Sequence, residues 1–230
     1  MLITGASRGL GRALARAAAH EGASLALCAR GAADLGAVAA ECRALGADVL
    51  AVTADIAEPR DVERLAATAL DRFGVVDIVV NNASTLGPTP LPFLSDASPA
   101  ELEAVFRTNV IGPMRMTQAI IGGMLLRGRG VLVNISSDAA VNGYPGWGVY
   151  GASKAALDAL TRTWAAELSD TGVRMISVDP GDMDTAMHRA AVPDADPAEL
   201  ARPEDVAGRM VELLAGALPA ADRVEVAALP

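Results

Sequence analysis

Thr4-Gly5-Ala6-Ser7-Arg8-Gly9-Leu10-Gly11 joins an apolar run at residues 1–4 to an Ala- and Arg-rich helical stretch at 9–20. Glycine reaches backbone angles closed to other residues, so the chain can turn tightly here. Without a Cβ, the backbone can also come close to a pyrophosphate. The N-terminus of the following helix favours the negative charge of such a group. A glycine-rich turn is also an ordinary way to connect a strand to a helix. Its place, directly after the first strand of an alternating series, decides for dinucleotide binding.

The series continues along the chain. Strand-like runs at 24–28, 49–53, 77–80, 130–135 and 173–178 alternate with helical stretches at 33–45, 59–73, 99–126, 148–168 and 203–215. A short last strand is expected at 223–227. The strands are continuously apolar rather than alternating, which predicts a parallel sheet covered on both faces. This is an α/β, doubly wound architecture, and ligands bind at the carboxyl ends of its strands. At 230 residues the expectation is one domain over 1–230, with surface loops at 87–99 and 193–199.

Composition narrows the partners. Hydrophobic residues make up 52% of the chain but aromatics only 3%, which favours closely packed helices on a sheet over an aromatic-rich sandwich. A net charge of −9 argues against nucleic acid, which needs clustered positive charge. Two cysteines, Cys28 and Cys42, build neither a disulfide scaffold nor a zinc site, so no metal is expected. No apolar run reaches the roughly 18 residues of a membrane span. No signal-peptide pattern opens the chain, and the expected location is the cytoplasm.

The turn reads Gly-x-x-x-Gly-x-Gly, and with it the sequence begins to resemble the short-chain dehydrogenase/reductase family in its classical branch. The resemblance gathers motifs along nearly the whole chain. Asn81-Asn82-Ala83-Ser84 is similar to that family's Asn-Asn-Ala-Gly, with Ser for Gly. Asn109 lies in Thr-Asn-Val, Asn134-Ile135-Ser136-Ser137 ends a strand, and Tyr150-Gly151-Ala152-Ser153-Lys154 opens a helix. Pro180-Gly181 closes the sixth strand. The resemblance implies a Rossmann-like fold and a nicotinamide cofactor. It assigns cofactor contacts to Gly5, Ser7, Arg8, Gly9, Leu10, Gly11, Arg30, Asp55, Ile56, Asn82, Ala83, Tyr150, Lys154, Pro180, Gly181, Met183 and Thr185, with Asp55 at the adenine. Asn109 is implied as an active-site residue that bends its helix and holds a water linking Lys154 to solvent.

Charge bears on which nicotinamide cofactor binds. A site for NAD(H) usually carries Asp or Glu at the end of the second strand, on the ribose 2′-hydroxyl. Here that strand ends Cys28-Ala29-Arg30, and Arg8 sits in the glycine turn. Two guanidiniums would hold a 2′-phosphate bidentately, so NADP(H) is expected over NAD(H), with NAD(H) possible.

Tyr150 and Lys154 share a helix face at i,i+4. A free phenol has a pKa near ~10, and a neighbouring ammonium favours its ionised form. The chain has 18 arginines, and its single lysine is Lys154. A compact ammonium can exchange a proton, whereas a guanidinium stays charged. The spacing by itself is routine in helices, and it is the surrounding motifs that give it meaning. Ser137, thirteen residues before Tyr150, would hydrogen-bond a substrate carbonyl oxygen as charge grows there. The expected catalytic set is Asn109, Ser137, Tyr150 and Lys154. It acts on a small-molecule carbonyl or alcohol, by hydride transfer between nicotinamide and carbon.

Other residues receive blander readings. Ser136 is expected to bond backbone at a strand end, and Asp138 to be a solvated loop carboxylate. His188 is expected off the site and His20 at the end of the first helix. Tyr144 and Trp147 either line the substrate cleft or pack a loop. Met114, Met116 and Met124 are expected in core or interface. Many relatives end in a strand followed by Asp-Gly-Gly, whereas residues 223–230 read Arg-Val-Glu-Val-Ala-Ala-Leu-Pro. That puts a tetramer in doubt and leaves a homodimer through helices 99–126 and 148–168. The first strand starts at Met1, which leaves room for a few missing upstream residues. Two rival readings are a dinucleotide-sensing protein without turnover and a dehydratase or epimerase, the latter disfavoured by chain length.

Overall fold

The computed structural model describes residues 1–216, 218 and 222–228. Seven parallel strands form one sheet: β1 (Leu2–Thr4), β2 (Leu25–Ala29), β3 (Val49–Thr53), β4 (Ile78–Asn81), β5 (Gly130–Ile135), β6 (Val173–Asp179) and β7 (Arg223–Glu225). Their order is β3-β2-β1-β4-β5-β6-β7. The chain builds outward from β1 to one edge, then returns to place β4 on the other side of β1. That reversal opens a crevice at the carboxyl ends of β1 and β4.

The helices are α1 (Gly9–His20), α2 (Ala32–Ala44), α3 (Pro59–Phe73), α4 (Pro99–Phe106), α5 (Gly112–Arg127), α6 (Gly148–Glu167), α7 (Ala186–Ala191) and α8 (Pro203–Ala215). Side chains alternate across a strand, and the core divides accordingly. Ile3, Leu27, Val80, Val133 and Ile176 pack with Leu14 of α1, Val38 of α2 and Met210 of α8. Leu2, Ala26, Val79, Leu132 and Met175 pack on the other face with Leu65 of α3 and Met116, Ile120 and Met124 of α5. Burial on both faces is why the strands read as unbroken apolar runs. Met114, by contrast, is partly exposed. Among the described residues no helix is long and apolar enough to cross a membrane.

Three expectations need correction. The stretch expected as one helix over 99–126 is two helices joined by a π-helical turn, Arg107–Ile111. Pro113 has no N–H for the carbonyl four residues before it, that of Asn109, so the α pattern cannot run through. Gly112 also lies against β3's exit, where a Cβ would stand 2.7 Å from the carbonyl oxygen of Ile56. The last strand is only three residues long and passes into a 3-10 turn, Val226–Ala228. Residues 229 and 230 of the expected C-terminal reading lie outside the described residues. Finally, α7 was not anticipated. It is short, carries no buried residue, and is started by Thr185, whose hydroxyl accepts the His188 N–H at 3.1 Å.

Candidate active site

The glycine turn is shaped from two sides. Gly5 (φ 67°) and Gly9 (φ 52°) occupy left-handed backbone. The end of β4 then locks the turn in place. Asn82 Nδ2 donates to the carbonyl oxygens of Thr4 (2.8 Å) and Gly5 (3.2 Å), and Thr4 Oγ1 accepts the N–H groups of Asn82 (3.1 Å) and Ala83 (3.0 Å). A Cβ on Gly11 would stand 2.3 Å from Gly5 O and 2.5 Å from Asn82 Nδ2. The cradle therefore tolerates no side chain, and the first turn of α1 has no side-chain cap on its N–H groups. Both features suit a pyrophosphate. Gly11→Ala is expected to weaken dinucleotide binding by at least about tenfold, ~1.4 kcal/mol, in a fluorescence titration. Gly36→Ala, which meets open space in α2, serves as the control and should leave affinity unchanged.

One cleft runs from this turn across the carboxyl ends of the strands. Every residue expected at the cofactor lines it, from Gly5, Ser7, Arg8, Gly9, Leu10 and Gly11 through Arg30, Asp55, Ile56, Asn82 and Ala83 to Pro180, Gly181, Met183 and Thr185. Arg8 and Arg30 are exposed, and their side chains make no hydrogen bond or ion pair among the described residues. Asp55 fixes its own turn, with Oδ1 accepting the Ala57 N–H at 2.9 Å. Ser137, Tyr150 and Lys154 line the same cleft. Asn109 does not.

Tyr150 and Lys154 stand on the first turns of α6. Both are buried, and Lys154 Nζ lies 5.6 Å from the centroid of the Tyr150 ring. The rings of Tyr150 and Trp147 meet edge to face, with centroids 5.7 Å apart. Lys154 Nζ donates to the carbonyl oxygen of Ile135 at 2.6 Å. Burial pulls the ammonium down to about 8, while Asp158 and Asp179 push it back up. Burial pushes the Tyr150 phenol up, and the nearby hydroxyls of Ser137 and Ser84 act to hold it down. A phenol, a hydroxyl and an ammonium around one cleft can pass a proton to or from an oxygen placed among them.

Behind this wall lie two polar networks. Asn109 is fully buried in the π-helical turn. Its Nδ2 donates to Thr85 O (2.9 Å) and Ser153 Oγ (2.9 Å), and its Oδ1 accepts from Ser84 Oγ (3.1 Å) and Thr85 N (2.9 Å). Ser153 Oγ in turn donates to the carbonyl of Tyr150 at 2.6 Å. The Asn109 amide is thus a clip between the β4 loop and α6, and its polar atoms are already bonded to protein. In the second network Arg223 of β7 faces Asp179 (2.7 Å) and Asp158 (3.3 Å). Burial pushes the Asp179 carboxyl up, while the Gly181 N–H and Arg223 hold it down.

Two bland readings fail, and a third holds. Asp138 is no solvated loop carboxylate: Oδ1 accepts from Ser137 Oγ at 3.0 Å and Oδ2 from Tyr144 OH at 2.7 Å. His188 lines the cleft, with Nε2 at 3.6 Å from Asp182. Ser136 does bond backbone through its own N–H, to Val178 O at 2.8 Å. Its buried hydroxyl also lines the cleft but has no hydrogen-bond partner among the described residues. Sequence reasoning also missed Ser84. Its one signal was the departure from glycine in Asn-Asn-Ala-Ser.

The comparisons agree with this geometry. The family model described as short chain dehydrogenase matches residues 1–196. A putative ketoacyl reductase of Streptomyces coelicolor is 35% identical over 188 residues, 81% of this chain and 71% of that protein. An alcohol dehydrogenase from the archaeon Thermococcus sibiricus, solved with 5-hydroxy-NADP, superposes with a TM-score of 0.86 at 32% identity, over 97% of this chain and 94% of that one. A variant of the actinorhodin polyketide ketoreductase with NADPH superposes with a TM-score of 0.87 at 30% identity, over 98% and 94%. The chain belongs to the short-chain dehydrogenase family and is an oxidoreductase of that kind.

Proposed function

We propose that this chain, working as one dinucleotide-binding domain, is an NADP(H)-dependent oxidoreductase that interconverts a small carbonyl compound and its alcohol, with Tyr150 exchanging the proton. The observation that carries the reading is the meeting of Tyr150, Ser137 and Lys154 on the wall of the cleft that the glycine turn opens. Two similar structures were solved with NADP-type cofactors, and one relative is named a ketoacyl reductase.

The cradle at Gly5 and Gly11, which a Cβ would fill, fits a dinucleotide pyrophosphate against the uncapped start of α1. When bound there, the nicotinamide supplies or takes the hydride. Tyr150 Oη gives its proton to the carbonyl oxygen in reduction and takes it back in oxidation. Ser137 donates a hydrogen bond to the same oxygen, turning away from Asp138 to do so. Lys154 holds a positive charge beneath the phenol, which favours the phenolate left behind. Asn109 positions the first turn of α6 through Ser153. An NADPH-oxidation screen over ketones, aldehydes, quinones and β-ketoacyl thioesters tests the reading, which fails if no carbonyl drives oxidation.

Preference for NADP(H) rests on Arg8 and Arg30, which are exposed, unpaired among the described residues, and on the cleft. No carboxylate ends β2 to take a ribose 2′-hydroxyl. Replacing both by alanine is expected to lower the NADPH-over-NADH ratio of kcat/KM by roughly tenfold or more, each charged hydrogen bond contributing about 1.5–3 kcal/mol. An unchanged ratio overturns the assignment. The enzyme is proposed to act in the cytoplasm as a homodimer through α4–α5 and α6. Leu102, Ile111, Met114 and Leu126 remain exposed along α4, the π-helical turn and α5.

A further inference from the structure

Ser84 stands where the resembling family carries glycine, and it occupies a fixed place. The two residues before it have their N–H groups on Thr4 Oγ1. The residue after it exchanges two hydrogen bonds with the Asn109 amide, at 2.9 Å each. Its own Oγ lies 3.1 Å from Asn109 Oδ1. Ser84, Ser137 and Tyr150 line one cleft. Lys154 Nζ lies 5.6 Å from the centre of the Tyr150 ring, and its hydrogen bond among the described residues goes to Ile135 O.

We propose that the Ser84 hydroxyl is a second hydrogen-bond partner of the Tyr150 oxygen, one that reverses its direction as Tyr150 loses and regains its proton. This rests on the proton-exchange reading of Tyr150. A hydroxyl has one proton and two lone pairs. While Tyr150 is protonated, its O–H donates to Ser84 Oγ, and Ser84 donates to Asn109 Oδ1. When Tyr150 is a phenolate, Ser84 turns and donates to it. Asn109 Oδ1 then keeps the Thr85 N–H, so no buried acceptor is abandoned. No covalent bond of Ser84 breaks in either direction.

Charge around the phenol makes such a donor necessary. Burial opposes the phenolate, and the carboxylates Asp179 at the end of β6 and Asp138 after β5 oppose it too. Lys154 of α6 is the cation beneath it, and His188 of α7 lines the same cleft. The β4 loop and the π-helical turn contribute Ser84 and Asn109, neither of them charged. Beside the Lys154 charge, the hydroxyls of Ser137 and Ser84 work against burial at the phenol. Because Ser137 is shared with Asp138 and with the substrate oxygen, Ser84 is the one left to the phenolate.

The test uses Ser84→Ala and Ser84→Thr in the full chain. In alcohol oxidation with NADP⁺, on the alcohol of the best carbonyl in the screen, Ser84→Ala is expected to lower kcat roughly tenfold. The limb of the profile that rises with pH should move up by about one unit, the size of one charged hydrogen bond. KM for NADP⁺ stays within twofold, and Ser84→Thr restores both values. Independently of turnover, the chain's two tyrosines give two ζ-carbon NMR signals, told apart with Tyr144→Phe. The Tyr150 signal should shift in Ser84→Ala and return in Ser84→Thr. A profile and a signal that stay at wild-type values in Ser84→Ala overturn the proposal, as does a lowered melting temperature with the pH profile unmoved. If Tyr150→Phe retains turnover, the reading of Tyr150 fails, and the ζ-carbon signal still decides whether Ser84 bonds the phenol.

Discussion

Tyr150→Phe is expected to lower kcat by about 10²–10⁴, the usual range for losing a positioned proton donor, and to leave NADPH affinity within twofold. The phenol carries the only hydroxyl that the substitution removes, and the ring keeps its packing against Trp147. Ser137 and Lys154 remain in place, so hydride transfer to a polarised carbonyl should persist at a low rate. The measurement is single-turnover NADPH oxidation beside equilibrium NADPH binding. A variant with wild-type kcat would remove Tyr150 from the reaction. A variant that loses NADPH binding instead would show the phenol serving the cofactor.

Lys154→Met should remove turnover and at the same time stabilise the cofactor-free protein, by about 3 kcal/mol at pH 7. Burial holds the Lys154 ammonium at about 8 against an ordinary value of 10.5, with Asp158 and Asp179 offsetting only part of that cost. Below pH 8 the folded protein carries the full cost of a buried charge. Between about pH 8 and 10.5 the unfolded chain binds the extra proton, so the cost shrinks as pH rises and then vanishes. The stability gap between variant and wild type is therefore widest at and below neutral pH and closes toward pH 10.5. Cys28, its thiol pushed up to about 12 by burial, works in the opposite direction above pH 9. It does so equally in both proteins, so the difference isolates Lys154. Urea melts of the two proteins from pH 7 to 10.5 measure this, and a variant less stable than wild type at pH 7 would refute it. The expected trade is one of stability for a charge that only chemistry needs.

The sheet and the glycine turn were legible because they depend on local pattern. An apolar run ended by Gly5, and a helix from Pro59 to a glycine stop at Gly74, announce themselves within a few residues. The break at Asn109 was legible in principle, since Pro113 forbids one backbone bond, but an apolar helical pattern running through it hid the change. The α7 helix has no buried stripe, so its pattern carried no signal. Asp138 was misread because its surroundings are tertiary: Tyr144 comes back onto it from six residues away. Arg223 reaches Asp179 across 44 positions, and Asp158 across more. Nothing in their spacing predicts that three charges share one buried place.

The bond from Asn82 to the carbonyl of Gly5 spans 77 residues, and β1, which leads into the glycine turn, lies between β2 and β4. During synthesis the turn emerges before β4 and waits for its fastener. An N-terminal fragment that stops before β4 holds all three glycines of the turn but lacks the β4 side of the crevice. Contacts this far apart in sequence must overcome a large loop-closure cost before they stabilise anything. The glycine turn is therefore fastened late, although its glycines leave the ribosome before β4 does.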